Sequence, residues 1–307
     1  MKRPALSPSP QLRALNNTPL IVISLLILDS LHFIFARLLL PYFSPVTSSL
    51  YVMAIATVEV ALFMKLSGRI HFYVLRHHLL FFLSVGFLVA ASTILTFMSV
   101  AFIDPGTAAL LGKSSIVFGV ALGVLWLKDR FAPVQIAGGI VAIVGVIIIS
   151  FQPGDYLRFG SFIVVVSAFM YALHTALFKR FGSDIPLAEF FLFRLAATTF
   201  FLLLIALARN EVVMPPSWPA WMVLFLTGTI NIVLSRALYY LALQRLNLSL
   251  HSIILTLSPV VAIGWTLLLF GIWPTAQQLA GGAAVILGVM LTVGAVRAVR
   301  VEPRVRG

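Results

Sequence analysis

The side chains able to do chemistry in this sequence are surrounded by apolar residues. Asp29 and His32 lie three apart, Glu59 stands alone, and Lys113 interrupts a run of small and apolar residues. Tyr171 and His174 again lie three apart, Arg194 follows, and Arg236 precedes Tyr239 and Tyr240. Residues three apart share a helix face, so a carboxylate and an imidazole at 29 and 32 can hold and release a proton near neutral pH. The other reading of His32 is a hydrogen bond to a neighbouring helix. Lys113 also reads two ways, as a counter-charge for a carboxylate or phosphate on a solute, or as one half of an ion pair with Asp29 or Glu59. Glu59 is expected to pair with a cation. Arg194 and Arg236 are candidate solute contacts, with gating, topology or snorkelling as their alternatives. Tyr171, Tyr239 and Tyr240 bring hydroxyls that need partners when buried, and His174 joins this candidate substrate-binding set. No metal-ligand spacing, Gly-x-Ser-x-Gly, Walker loop or His-Glu-x-x-His accompanies these residues. The expectation is therefore no enzyme, no metal and no cofactor.

The elements that must position these groups are membrane spans. Residues of the AVILMFWYC set make up 61% of 307 and charged residues only 10%, with mean hydropathy +1.09, a balance that suits a bilayer rather than water. Spanning the hydrocarbon takes roughly 20 apolar residues. Breaking the sequence at polar and Pro/Gly clusters predicts ten helices, near 19–40, 45–65, 79–102, 106–127, 132–151, 159–178, 186–208, 219–243, 248–271 and 276–296. Of the 21 Lys and Arg, fifteen then fall on the side of the termini, three (Arg37, Arg158, Arg209) on the other, and Lys113, Arg194 and Arg236 inside spans. That asymmetry predicts cytoplasmic termini, and it accounts for the net charge of +12 without nucleic acid. Zero cysteines exclude disulfides and thiolate sites. Trp218 and Trp221 read as interface anchors, and the many Phe residues as mostly lipid-facing.

A shift of 142 residues aligns the sequence with itself: His32 falls on His174, Arg37 on Lys179, Gly86 on Gly228 and Thr107 on Ser249. A shift of 143 places Gln135 on Gln278 and Gly138-Gly139 on Gly281-Gly282. An internal repeat of five helices, an odd number, makes the second half enter the membrane from the opposite side, the arrangement that lets one cavity open alternately to either face. The predicted organisation is an all-α integral membrane protein of ten transmembrane helices in a 5+5 inverted repeat. It comprises a cytoplasmic tail over 1–18, repeats over 19–152 and 153–296, and a cytoplasmic tail over 297–307.

Two segments, 106–150 (GTAALLGKSSIVFGVALGVLWLKDRFAPVQIAGGIVAIVGVIIIS) and 248–292 (LSLHSIILTLSPVVAIGWTLLLFGIWPTAQQLAGGAAVILGVMLT), resemble the EamA-type members of the drug/metabolite transporter superfamily, with the Leu257-Ser258-Pro259 step similar to that family's helix-nine motif. Val117 stands where the family commonly has Pro, and Lys128-Asp129-Arg130 where it has an acidic-basic pair. The resemblance implies that helices one to four and six to nine surround a central cavity, with the fifth and tenth packed outside through their glycine pairs. It also implies transport of a small molecule. With three intramembrane cations against two acids, the expected substrate is a small polar or anionic metabolite (amino acid, organic acid or phosphorylated compound), exported or exchanged. Proton-coupled export of drugs or cationic compounds is the alternative. The expected setting is the cell (inner) membrane, with the lipid bilayer and a small-molecule substrate as partners, no nucleic acid, and a monomer or homodimer.

Overall fold

The computed structural model describes residues 18–68, 70–126, 133–150, 159–182, 184–245 and 255–301, and within these every regular element is helical. In chain order they are α1 (Thr18–Ser30), α2 (His32–Leu39), α3 (Pro45–Leu66), α4 (Phe72–His77), α5 (Leu79–Ser99), α6 (Pro105–Gly112) and α7 (Ser114–Leu125). There follow α8 (Pro133–Ser150), α9 (Phe159–Phe181), α10 (Leu187–Ala208), α11 (Trp218–Leu226), a π-helical segment (Thr227–Leu234), α12 (Ser235–Arg245), α13 (Ser258–Phe270) and α14 (Ala276–Val301). Local sequence explains many of the starts. Ser44 and Asp104 cap α3 and α6 by accepting from the N–H of Thr47 (3.2 Å) and Thr107 (2.8 Å), each followed by a proline at the first helical position. Thr275 and Gln278 bond each other's backbone N–H reciprocally at the start of α14, a capping box. Gly271, at φ 65°, closes α13 in the left-handed conformation.

Seven helices or helix pairs are long and apolar enough to cross a membrane: Pro19–Leu39, Pro45–Leu66, Leu79–Ser99, Pro105–Gly123, Phe159–Phe181, Leu187–Ala208 and Trp218–Tyr239. Shorter apolar helices cover Pro133–Ile149, Ser258–Phe270 and Ala276–Leu291. The expected helix over 248–271 begins outside the described residues.

Two helices expected to be continuous are broken. The first turns at Leu31 (ψ −8°), whose N–H reaches back only three residues to Leu28 O, and the fourth turns at Lys113 (ψ −13°), whose N–H reaches Leu110 O. Gly112 and the serines that follow Lys113 are poor helix formers, so the fourth run tightens at that point. The eighth helix widens into the π segment, and α13 starts from a similar tight turn at Leu257 (ψ −12°), just ahead of Pro259.

Packing follows the internal repeat. A methyl added at Gly86 would lie 2.6 Å from Ala197 Cβ, and one at Gly228 would lie 2.9 Å from Ile55 Cγ2. Gly86 and Gly228 are 142 apart, as are Ile55 and Ala197, so each half makes the same close approach to the other. Thr57 and Thr199, also 142 apart, hydrogen-bond each other at 2.9 Å, which puts them on the pseudo-two-fold axis. The pair α8 and α14 repeats the pattern: a methyl at Gly145 would meet Gly281 O at 2.6 Å and one at Gly288 would meet Gly138 O at 2.5 Å. These crossed contacts make the two helices antiparallel and bear out the packing role expected of Gly138 and Gly281. Gly282 closes on Leu110 of α6, while Gly139 makes only ordinary contact with Val117.

The halves also meet at both ends of α3 and α10. Ser44 donates to the Glu211 carboxylate, Thr47 donates to Glu211 O at 2.5 Å, and Arg209 holds the other carboxylate oxygen at 2.6 Å. At the opposite end, His71 Nδ1 lies 2.5 Å from Glu189 Oε1. Several Phe residues expected to face lipid are interior instead: Phe82, Phe190 and Phe193 are buried against one another. Trp218 is 78% exposed, as an anchor should be, whereas Trp221 packs edge-on to Tyr51.

Candidate functional site

The irregular turns of four helices converge on one polar centre. Lys113, at the break between α6 and α7, points its Nζ to within 3.7 Å of Asp29 Oδ2 in α1, with 18% and 21% of the two side chains exposed. Ser258, at the start of α13, hydrogen-bonds Asp29, and Arg236 and His32 are its other charged or titratable neighbours. Across from them His32 Nδ1 meets Asn231 Oδ1 at 2.8 Å, and Asn231 Nδ2 donates to Leu28 O at 3.3 Å. Asn231 belongs to the π segment, whose extra residue per turn sets its register against the break at Leu31. Broken helices at membrane depth are tolerated where the freed backbone lines a cavity or is buried in protein, and π segments recur at functional sites.

On α9, Tyr171 hydrogen-bonds Arg194 and lies in the field of Arg236 and Asp29. His174 packs its ring edge-on to Tyr171 at 4.4 Å, with Arg194 and Arg236 as charged neighbours. The guanidinium of Arg236 lies 5.8 Å from the centre of the Tyr239 ring, and that of buried Arg194 lies 5.2 Å from the Phe191 ring, both within cation–π range. Phe33 and Phe97 present rings to His32 at 5.3 and 6.3 Å. Asp29, His32, Lys113, Tyr171, His174, Arg194, Arg236 and Tyr239 are thus brought together, and the side chain of Tyr240 lies outside the described residues. Glu59 differs from expectation: Thr229 Oγ1 donates to its Oε1 at 2.6 Å, a hydroxyl where a cation was expected. A hydroxyl meets a carboxylate without a second desolvated charge. Asn231, Ser258 and Thr229 escaped a search for charged side chains. Ser258 had a signal in the Ser-Pro step, and Asn231 only in being an amide within an apolar run.

Lys113 and Arg236 neighbour the Asp29 carboxylate, and Arg194 joins Arg236 beside Tyr171. Two unit charges about 4 Å apart attract by about 4 kcal/mol at an effective dielectric of about 20. Drying each of them costs several kcal/mol. The attraction within the Lys113–Asp29 pair is therefore of the same order as the cost of drying it. Among the described residues, no group of three His, Cys, Asp or Glu stands where it could hold a metal ion.

A family model described as the EamA-like transporter family matches residues 18–151 and again 158–294. The chain belongs to this family. The double match establishes two EamA repeats in this EamA-like transporter, agreeing with the self-alignment at 142 residues. A solved crystal structure aligns with a TM-score of 0.64 at 17% identity, over 92% of this chain and 99% of its own, which shows the fold alone. No curated protein matches the EamA-like chain.

Proposed function

We propose that this EamA-like transporter is a secondary active transporter that moves a small polar or anionic metabolite, an amino acid, organic acid or phosphorylated compound, by alternating access as an exporter or exchanger. The observation that carries this reading is Lys113 at the helix break, paired loosely with Asp29 inside a cluster whose other charges, Arg194 and Arg236, are positive. An incoming carboxylate or phosphate takes Lys113 and Arg236, while Tyr171 and Tyr239 supply hydroxyls and ring faces. Arg194 and His174 support that wall of the cavity. The alternating movement draws on the pseudo-two-fold axis at Thr57 and Thr199 and on the contacts at both ends of α3 and α10.

In this reading the seven long and three shorter apolar helices form ten spans in the cell (inner) membrane, with the two repeats (19–152 and 153–296) in opposite orientation and both termini in the cytoplasm. Proton coupling would use Asp29 and His32. A second reading, export of cationic compounds, draws on Asp29, the carboxylate of this centre among the described residues, whose side chain is 21% exposed.

Purified protein in liposomes, preloaded with unlabelled amino acids, organic anions, phosphorylated metabolites or a cationic dye, tests both readings by counterflow of the labelled compound. Saturable counterflow of an anionic or zwitterionic solute supports the first. Movement of the dye alone overturns it in favour of the second.

A further inference from the structure

The repeat supplies two histidines at equivalent positions, His32 and His174, but among the described residues only His32 meets a side-chain partner from the other half. Leu28 O is a carbonyl and only accepts hydrogen bonds, so the Asn231 atom 3.3 Å from it must be the NH2 donor. That fixes the amide orientation and turns Oδ1, an acceptor, toward His32 Nδ1 at 2.8 Å. His32 Nδ1 must then carry hydrogen, which leaves Nε2 as the nitrogen that gains or loses a proton. The position equivalent to Asn231 in the first half, 142 residues earlier, is Val89, a buried residue with no amide to offer. Correspondingly, His174 has no side-chain hydrogen-bond partner among the described residues, and its polar neighbour is the backbone of Tyr171 one turn earlier on the same helix.

We propose that Asn231 is a positioning residue for transport: it locks His32 in the Nδ1–H form, so that His32 and not His174 exchanges a proton with solvent, through Nε2, during the transport cycle. The step is balanced as one proton taken from hydronium on the open side by Nε2 to give imidazolium and water, with Nδ1–H retained, and returned from Nε2 to water on the other side. The groups facing that imidazole are Asp29 on α1, across the break at Leu31, Lys113 at the break between α6 and α7, Arg236 on α12 and the amide of Asn231. Asp29 favours the imidazolium and the two cations oppose it. Loss of the Lys113–Asp29 pairing to a bound anion would change that balance, which couples the proton to the substrate.

The inference rests on the transport reading for its flux measurement and is independent of it for its spectroscopic one. Nitrogen NMR of histidine-labelled protein in liposomes, with His32 assigned by loss of its signal in His32→Gln, reads the tautomer directly. The neutral form is expected to be protonated at Nδ1 in wild type and in Asn231→Asp, which keeps an acceptor, and mixed in Asn231→Leu. A neutral His32 protonated at Nε2, or an unchanged spectrum in Asn231→Leu, overturns the proposal whether or not any solute is carried. For a solute that is carried, flux is expected to change about tenfold with pH in wild type and less than about twofold over the same span in His32→Gln. His174→Gln is expected to keep the wild-type profile whatever its absolute rate. The reverse pattern, with the profile lost in His174→Gln and kept in His32→Gln, overturns the assignment.

Discussion

Asp29 and Lys113 depend on each other less than a fully dry pair would, because about a fifth of each side chain remains exposed. Asp29→Asn leaves Lys113 and Arg236 without the carboxylate between them, and the expected cost is about 1–2 kcal/mol, below the range for fully buried pairs. Thermal unfolding in detergent checks this, and the double variant with Lys113→Gln should recover part of the loss. Glu211 gives a pH-dependent case outside the spans. The Ser44 hydroxyl, and then Arg209, hold its pKa below the ordinary 4.5 against a smaller opposing effect of burial. A group whose folded pKa is lowered stabilises fully above its unfolded value, and that stabilisation disappears as pH falls through the folded value. Glu211→Gln should therefore unfold at lower temperature than wild type at neutral pH, with the deficit shrinking below pH 4.5. A deficit that is constant with pH would mean that the carboxylate charge contributes nothing there.

At the scale of helices, the antiparallel pair of α8 and α14 depends on Gly145 and Gly288, where a methyl would meet backbone atoms that cannot move aside. Replacing Gly288 with Ala should cost about 1–3 kcal/mol through overpacking, read as a lower melting temperature. Gly264→Ala, where a methyl would meet nothing within 4 Å, should leave stability equal or higher. The glycine pairs and the 142-residue offset were legible in the sequence because an inverted repeat packs the same residues twice. Thr57 with Thr199 and Gly145 with Gly288 carry the same signal at the same offsets, hidden only because threonine and glycine are common in apolar helices. The breaks at Leu31 and Lys113 were not legible: hydropathy averages over a whole span, and one tight turn changes no residue's polarity. The placement of Asn231 depends on the π register, which exists only after α11 and α12 have packed. Glu59 misled because a lone buried acid suggests a cation, whereas the nearby helix supplied the Thr229 hydroxyl.

For the whole molecule, two repeats with crossed contacts predict that α3 and α10 meet opposite faces of the membrane with their N-terminal ends. The absence of cysteine from the sequence lets single-cysteine reporters test this: Asn210→Cys should react with an impermeant thiol reagent only from outside, and Gly68→Cys only from inside. Labelling of both from one side would contradict the opposite orientation of the repeats. Charge asymmetry between the connecting segments is the sequence signal that predicts this orientation, while substrate class is set by which buried charges meet, and these come together only through folding. The most direct test of the central claim is counterflow of the anionic or zwitterionic solute carried by wild type, measured in liposomes for Lys113→Gln and Lys113→Arg at matched folded protein. The substrate-counter-charge account predicts at least about a tenfold loss for Lys113→Gln and partial retention for Lys113→Arg. Normal counterflow by Lys113→Gln would contradict it and reduce Lys113 to a structural partner of Asp29.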